Sequence, residues 1–228
     1  MTTTNYVVAT TKPWNIEAFH ERSEDLPGNW HLISDKSGLN IKALEKLAPR
    51  FIFFPHWSWI VPDDVLTKFE CVCFHMTDVP YGRGGSPLQN LIARGHEETK
   101  LTALRMTNKL DAGPVYLKSR LSLEGSAQQI FLRSASLTYD LIDRIISQLP
   151  TPRDQVGEVT EFARRTPDQS ELPELASLKQ IYDQIRMLDA ETYPLAYINH
   201  GEFRLQFNKA TLFADEVTAS VTITKRDT

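Results

Sequence analysis

His75 has the best position for proton chemistry in this sequence. It ends the apolar run 71–74 and directly precedes the loop 78–87, which holds three of the chain's ten glycines. A histidine titrates near neutrality and can act as a general base. An imidazole that only forms a hydrogen bond at the end of a strand is the alternative. On position alone, both interpretations stay open.

Asp111 and Arg83 are the next candidates. Asp111 opens the turn Asp-Ala-Gly-Pro at 111–114, where an aspartate commonly bonds its own backbone. Arg83 lies in the glycine-rich loop, where a guanidinium can hold a carboxylate or a phosphate, or simply be solvated. The six histidines and two cysteines have no zinc-ligand spacing, and the usual dinucleotide and phosphate-loop motifs are missing. We therefore predict no metal site and no ATP or dinucleotide site of the common kinds.

The elements that must position these side chains alternate between strands and helices. Apolar runs predict strands at 6–10, 30–34, 50–54 and 71–75, with helices at 39–47 and 62–66. This order favours an α/β fold with a Rossmann-like, mostly parallel sheet flanked by helices. Ligands of such sheets bind beyond the carboxyl ends of the strands, which is where His75 lies.

The second half of the chain predicts a division into two parts. The first part is completed by a helix at 87–93, two strands at 101–105 and 115–123, and a long helix from 126 to about 149. The residues Ser-Ala-Gln-Gln at 126–129 form a capping-box pattern, which predicts the start of the long helix. A polar, proline-dotted connection, a further helix and an alternating β-like tail follow. The predicted domains are a main domain at 1–150 and a small helix-plus-β-hairpin region at 151–228.

The composition and charge of the chain argue against several classes of protein. The chain has 228 residues, a net charge of −4 and 41% hydrophobic residues, and this mildly acidic balance argues against a general nucleic-acid binder. No apolar run approaches the roughly 18 residues of a membrane span, and the N-terminus lacks a signal-peptide pattern. The two cysteines, Cys71 and Cys73, share one face of a predicted strand and are not expected to pair. We expect a cytoplasmic protein with no membrane partner.

Several ordered motifs resemble one enzyme family. The segment Phe-His-Met-Thr-Asp-Val-Pro-Tyr-Gly-Arg-Gly-Gly-Ser-Pro at 74–87 resembles the His-x-Ser-x-x-Pro-x-x-Arg-Gly-x-x-Pro loop of the 10-formyltetrahydrofolate-dependent formyltransferases. The segment Leu-Asp-Ala-Gly-Pro-Val at 110–115 resembles that family's Leu-Asp-x-Gly-Pro-Ile element, and 53–66 resembles the strand and short helix that line the folate pocket. The resemblance spans roughly 50–210, whereas the first 45 residues match poorly.

The resemblance implies a catalytic trio of asparagine, histidine and aspartate. His75 and Asp111 match the histidine and the aspartate, but Cys73 stands where the family has asparagine. In the family that amide donates a hydrogen bond to the formyl oxygen as it gains charge. A thiol is a weak donor, so His56 or a backbone amide would have to compensate, or the activity is slower or lost.

The resemblance also implies where the ligands bind. The formyl donor is 10-formyltetrahydrofolate, and its pterin is expected near Trp57, Ile60, Met106, Leu110 and Asp111. Tyr81 and Arg83 are expected on the side of the acceptor.

The acceptor suggested by this resemblance is the primary amine of an amino sugar, with a nucleotide-linked sugar favoured, in nonulosonic acid or surface-glycan biosynthesis. Residues 151–228 carry nine basic and thirteen acidic side chains, and an acidic region repels phosphates, so we rank tRNA below a sugar and predict no nucleic-acid partner. By the same resemblance we expect a homodimer. A formyltetrahydrofolate hydrolase and a non-catalytic folate- or nucleotide-binding protein are the alternatives.

Overall fold

The structure is a computed structural model, and it describes residues 3–174 and 177–226. The described strands are β1 (Asn5–Ala9), β2 (Asn29–Ile33), β3 (Phe51–Pro55), β4 (Cys71–His75), β5 (Arg83–Gly84), β6 (Glu98–Arg105), β7 (Val115–Ser122), β8 (Glu161–Phe162), β9 (Ala196–His200), β10 (Phe203–Leu212) and β11 (Val217–Lys225). The α-helices are α1 (Pro13–Arg22), α2 (Ile41–Leu47), α3 (Asp63–Lys68), α4 (Pro87–Ala93), α5 (Ala127–Gln148) and α6 (Leu178–Arg186).

The main sheet has six strands in the order β2-β1-β3-β4-β6-β7. The first four strands are parallel neighbours, and β6 pairs with β4 in the antiparallel direction. Every residue of β3 is buried, as expected for a central strand covered on both faces. The predicted α/β fold with a mostly parallel sheet is confirmed, and the parallel order brings the carboxyl ends of β1, β3 and β4 to one edge.

Helix α1 is the longest helix that the sequence did not predict. It begins with Pro13 at its first position, a place where the absent N–H of proline costs nothing. Its buried face consists of Trp14, Asn15, Ala18 and Phe19. A face that mixes an amide and a single alanine with two aromatic rings has weak apolar periodicity, and therefore gave no helical signal.

The predicted capping box at the start of α5 is present. The backbone N–H of Ser126 donates to Oε1 of Gln129 at 3.0 Å, and the N–H of Gln129 donates to the Ser126 hydroxyl at 3.3 Å. The helix ends two residues before Pro150, which cannot continue it.

The chain divides into two compact units that differ from the predicted domains. One unit comprises 1–84, 100–121 and 132–161, and the other comprises 85–99, 122–131 and 162–228. This division follows contacts rather than independent folding, so the boundary near residue 150 stays a prediction. No helix in the described part of the chain is long and apolar enough to cross a membrane.

The second unit contains the antiparallel sheet β11-β10-β9 and the helix α6. The predicted hairpin is β10 with β11, and β9 adds a third strand that the alternating tail did not separate. Within this unit Arg186 is buried, pairs with Asp183 at 2.6 Å and donates to the carbonyls of Leu123 and Gly125. A buried guanidinium with this many acceptors serves to hold the unit together.

Tyr139 offers a test of the packing around α5. Its ring is fully buried, and its hydroxyl has no hydrogen-bond partner among the described residues. An unsatisfied buried hydroxyl is destabilising, so Tyr139→Phe should raise the free energy of unfolding in urea by about 1 kcal/mol.

The matched control is Tyr116→Phe. The Tyr116 hydroxyl bonds to the Glu70 carboxylate and accepts from Arg105, so its loss should lower the free energy of unfolding by about 1 kcal/mol. A Tyr139→Phe variant that is less stable than the wild-type protein would contradict the assignment of an orphaned hydroxyl.

Candidate functional site

His75 is held in one orientation by the loop that follows it. The residue ends β4, is buried, and places its Nε2 atom 2.8 Å from the carbonyl oxygen of Gly82. A carbonyl oxygen can only accept a hydrogen bond, so Nε2 carries the proton. In the neutral ring, Nδ1 is therefore the atom with a free lone pair.

Asp111 faces that basic nitrogen. Its Oδ2 atom lies 3.6 Å from Nδ1 of His75 and accepts the backbone N–H of Gly84 at 2.9 Å. A separation of 3.6 Å is too long for a hydrogen bond but close enough for strong attraction once the imidazole is protonated. The structure thus brings His75 and Asp111 together as predicted, whereas the ring orientation is set by Gly82 rather than by Asp111.

Buried threonines support the Gly82 carbonyl. The Thr77 hydroxyl donates to Gly82 O at 3.2 Å, and the Thr102 hydroxyl donates to the Thr77 carbonyl at 2.7 Å. Both threonines are fully buried. This chain of bonds runs from β6 through the end of β4 to the loop, and leaves the acceptor of His75 little freedom to move.

The Asp111 turn has strict backbone requirements. Asp111 has a φ of +50°, in the left-handed region that aspartate tolerates better than most residues. A Cβ atom at Gly113 would lie 1.9 Å from the carbonyl oxygen of Arg105, so only glycine fits there. The Asp-x-Gly spacing of this motif therefore has a physical basis in the turn itself.

Gln155 is a residue of the site that the sequence analysis missed. Its side-chain amide donates to the carbonyls of Asp111 and Gly113, both at 2.8 Å, and its Oε1 atom accepts two bonds from Arg83 at 2.8 and 3.1 Å. It lies in the polar connection after α5, where a single glutamine carries no signal of its own. Only the fold brings that connection to the Asp111 turn.

Cys73 lies in the buried strand β4 opposite Phe54 and Leu104. It packs against an apolar cluster that includes Cys71, which confirms that the two thiols share a face. The buried members of this apolar cluster are Val7, Ala9, Leu44, Ile52, Phe54, Val61, Val65 and Cys71. Burial, reinforced by the charge of Asp111, raises the pKa of the Cys73 thiol above its usual range. The group stays S–H at neutral pH and remains a weak donor in the place of the family's asparagine.

His56, considered above as a compensating donor, lies just after β3 and has a backbone φ of +52°. Its ring lies edge-on to Trp14, with the centroids 5.4 Å apart. Burial, together with the charge of Lys12, lowers the pKa of His56 to about 3. The imidazole is therefore neutral at physiological pH and offers no cationic donor.

The residues predicted for the pterin pocket divide into two kinds. Trp57 and Met106 pack against the apolar cluster, whereas Ile60 and Leu110 are 94% and 73% exposed. The Trp57 Nε1 atom is buried and has no hydrogen-bond partner among the described residues. An unpaired indole N–H and apolar side-chain surface are features that suit a flat heterocycle with polar edges.

The other predicted site residues have more limited contacts. Arg83 is half-buried and is bound by Gln155; no carboxylate of the described residues lies within 4.0 Å of its guanidinium. Tyr81 is half-buried in the turn that its N–H closes onto Asp78. No group of three or more potential metal ligands occurs in 3–174 or 177–226.

The chain is similar in sequence and structure to methionyl-tRNA formyltransferases. Residues 167–224 match a family model described as the C-terminal domain of methionyl-tRNA formyltransferase. Methionyl-tRNA formyltransferase of Thermodesulfovibrio yellowstonii is 27% identical over 162 residues, which cover 68% of this chain and 51% of that protein. A methionyl-tRNA formyltransferase structure from Clostridium thermocellum is 42% identical, with a TM-score of 0.95, and covers 98% of this chain and 100% of its own.

A sugar N-formyltransferase structure from a Shewanella species has a TM-score of 0.70 and covers 93% of this chain and 99% of its own. Its sequence identity is only 11%, so this likeness concerns the fold alone. The predicted amino-sugar acceptor, and the predicted absence of a nucleic-acid partner, are therefore wrong, because the relatives similar in sequence are methionyl-tRNA formyltransferases.

The net charge of 151–228 was a poor guide to the acceptor, because this segment combines regions of different charge. The acidic excess of 151–228 lies in the connection and in the segment around α6, whereas 196–226, which holds β9 to β11, has four basic and three acidic side chains. Phosphate binding depends on where the cations lie and not on the mean charge of a region.

The chain spans about half the length of the curated relatives it matches. The Clostridium thermocellum structure, in contrast, is matched over its whole length. The formyltransferase family uses 10-formyltetrahydrofolate as its formyl donor, so the predicted enzyme class and donor are confirmed at the level of the family. His75 and Asp111 lie together at the end of β4, and a methionyl-tRNA formyltransferase is 42% identical over 98% of this chain. This chain therefore belongs to the formyltransferase family that includes the methionyl-tRNA formyltransferases.

Proposed function

We propose that this protein transfers a formyl group from 10-formyltetrahydrofolate to the amino group of methionyl-tRNA. The observation that carries the proposal is the pairing of His75 with Asp111, at 3.6 Å, in a chain that matches a methionyl-tRNA formyltransferase over its full length. The acceptor is proposed from the similarity to methionyl-tRNA formyltransferases, whereas the proton transfer is supported by the geometry of His75 and Asp111.

His75 moves the proton in this proposal. The attacking amine must lose a proton to become a nucleophile, and Nδ1 of His75 is the basic atom because Nε2 donates to Gly82 O. As Nδ1 takes the proton, the ring becomes an imidazolium with both N–H groups engaged. Nε2–H stays on Gly82, and Nδ1–H points to the Asp111 carboxylate, which stabilises the positive charge.

The proposed donor site uses the residues around Trp57. The orphaned Trp57 N–H and the exposed aliphatic groups of Ile60 and Leu110 support binding of the pterin there, with Met106 lining the buried side. When bound, 10-formyltetrahydrofolate supplies the formyl carbon. Because Cys73 keeps its proton, it can still donate weakly to the charge that develops on the formyl oxygen.

Arg83 is proposed to face the acceptor. A guanidinium has five N–H donors, and Gln155 engages two of them through a neutral oxygen, so the positive charge is not cancelled by that partner. Such a cation suits the phosphates of an RNA acceptor better than a neutral substrate. The role of Tyr81, the homodimer and the cytoplasmic location stay predictions.

The proposed transfer is tested with methionyl-tRNA and labelled 10-formyltetrahydrofolate. We expect label in the acid-precipitable tRNA with the wild-type protein. His75→Ala and Asp111→Asn should each reduce kcat by at least about a hundredfold, since they remove the base or the charge that stabilises its protonated form. The circular dichroism spectra should match that of the wild-type protein.

Two controls separate the outcomes. Methionyl-tRNA with an acetylated amine should take up no label, because the nucleophile is blocked. Formate released without any acceptor would point to hydrolysis of the donor, and wild-type turnover in either variant would refute the proposed roles.

Cys73→Asn tests the departure from the family's trio. An amide at this position is a stronger donor than a thiol, and loss of one such donor elsewhere costs about 100-fold in kcat, so we expect kcat to rise about tenfold. Cys71→Ser, on the same strand face, should leave kcat unchanged. An unchanged kcat in Cys73→Asn would place the oxyanion donor on another group.

A further inference from the structure

We propose that Gln155 is a positioning residue: its single amide group holds the Asp111 turn and the Arg83 loop in register, and so keeps the Asp111 carboxylate opposite Nδ1 of His75. Nothing in the motifs around His75 and Asp111 indicates this residue. The proposal rests on the proposed function for its effect on turnover, but its structural content is measured without substrate.

The orientation of the Gln155 amide is fixed by its partners. The carbonyl oxygens of Asp111 and Gly113 can only accept, so the NH₂ group must face them. The Arg83 guanidinium can only donate, so Oε1 must face it. Two donors and two acceptor positions are all that a glutamine side chain possesses, and each of them is used.

One side of this amide supports the turn that carries Asp111. Gln155 bonds the carbonyls of the residues on either side of Ala112, and the first of these belongs to the peptide group that directly follows the Asp111 Cα atom. Asp111 has a left-handed φ, a conformation that is unfavourable for a non-glycine residue and needs support from its surroundings. The two bonds from Gln155 provide such support.

The other side supports the loop around Arg83. The neighbours of Arg83 in the chain are Gly82, whose carbonyl accepts from His75, and Gly84, whose N–H donates to Asp111. By binding Arg83, Gln155 is therefore linked to both backbone groups that contact the His75–Asp111 pair.

Gln155 is itself anchored on both sides along the chain. Two residues earlier, Arg153 exchanges backbone bonds of 2.7 and 2.9 Å with Val115 at the start of β7. Five residues later, Thr160 accepts the N–H groups of Gly82 and Arg83, both at 2.9 Å. The segment 153–160 is thus hydrogen-bonded to β7 and to the glycine-rich loop. Because the segment is held at both ends, Gln155 can hold the Asp111 turn in a fixed position.

The main measurement is amide hydrogen exchange in the ligand-free protein. The Gly84 N–H reports the position of the Asp111 carboxylate directly, because it donates to Oδ2. In Gln155→Ala we expect its exchange to accelerate at least about tenfold, while the buried amides of β3 exchange as in the wild-type protein. In the same variant kcat should fall about 10- to 100-fold, with the KM for 10-formyltetrahydrofolate within about twofold.

Gln155→Glu separates the two sides of the amide. It keeps oxygens for Arg83 but loses both donors to the Asp111 turn, so it should behave like Gln155→Ala at Gly84. Gln184→Ala is the matched control, since the Gln184 amide also donates to a backbone carbonyl, that of Gln169 at 3.2 Å, in the other compact unit. It should leave Gly84 exchange and kcat unchanged.

The outcomes are distinct. Unchanged Gly84 exchange in Gln155→Ala, wild-type exchange in Gln155→Glu, or a uniform acceleration across the β3 amides would each overturn the positioning role, the last by showing only general destabilisation. If Gly84 responds as expected but the wild-type protein does not formylate methionyl-tRNA, the positioning role stands and the proposed acceptor is wrong.

Discussion

The hydrogen bond from Nε2 of His75 to the Gly82 carbonyl is the interaction on which the site depends. It determines which ring nitrogen carries the proton, and hence that Nδ1 is the basic atom facing Asp111. The glycine-rich loop therefore contributes directly to the geometry of the site. Its backbone supplies the acceptor for His75 and, two residues later, the N–H group that holds the Asp111 carboxylate.

A second constraint is the crowding of the turn that carries Asp111. At Gly113 the chain passes so close to the Arg105 carbonyl that no side chain fits. The backbone of Asp111 itself lies in the left-handed region. Such a turn needs external support, and Gln155 supplies bonds on both sides of it. A carboxylate placed by this kind of scaffold is preorganised before the acceptor arrives, which is the condition for efficient proton transfer and charge stabilisation.

Cys73 shows how far a family pattern can change while the geometry around it persists. Its neighbours in β4 still present His75 at the strand end, and burial keeps its thiol protonated. In the proposed mechanism, the oxyanion donor is thus weakened while the positions of His75 and Asp111 are unchanged. This separation is possible because the three groups belong to different parts of the backbone: the interior of β4, its end, and the turn before β7.

The local elements and the candidate pair His75–Asp111 could be predicted from residue types, their spacing and the family motifs. Apolar runs placed β3 and β4 within a residue, and the spacing of serine and glutamine placed the start of α5, because burial and capping act over a few residues. The motifs also identified the family, although the mean charge of the C-terminal region led to the wrong acceptor.

The remaining features depend on contacts between distant segments. The hydrogen bonds that set the tautomer of His75 and orient the Gln155 amide join residues 7 to 72 positions apart in the chain. Cys73 is partly buried because β4 lies between β3 and β6. Helix α1 lacked a clear apolar stripe and becomes stable through the packing of Trp14 and Phe19. Contacts of this kind form between segments that are distant in the chain. A local pattern of residue types does not specify which distant segments come into contact.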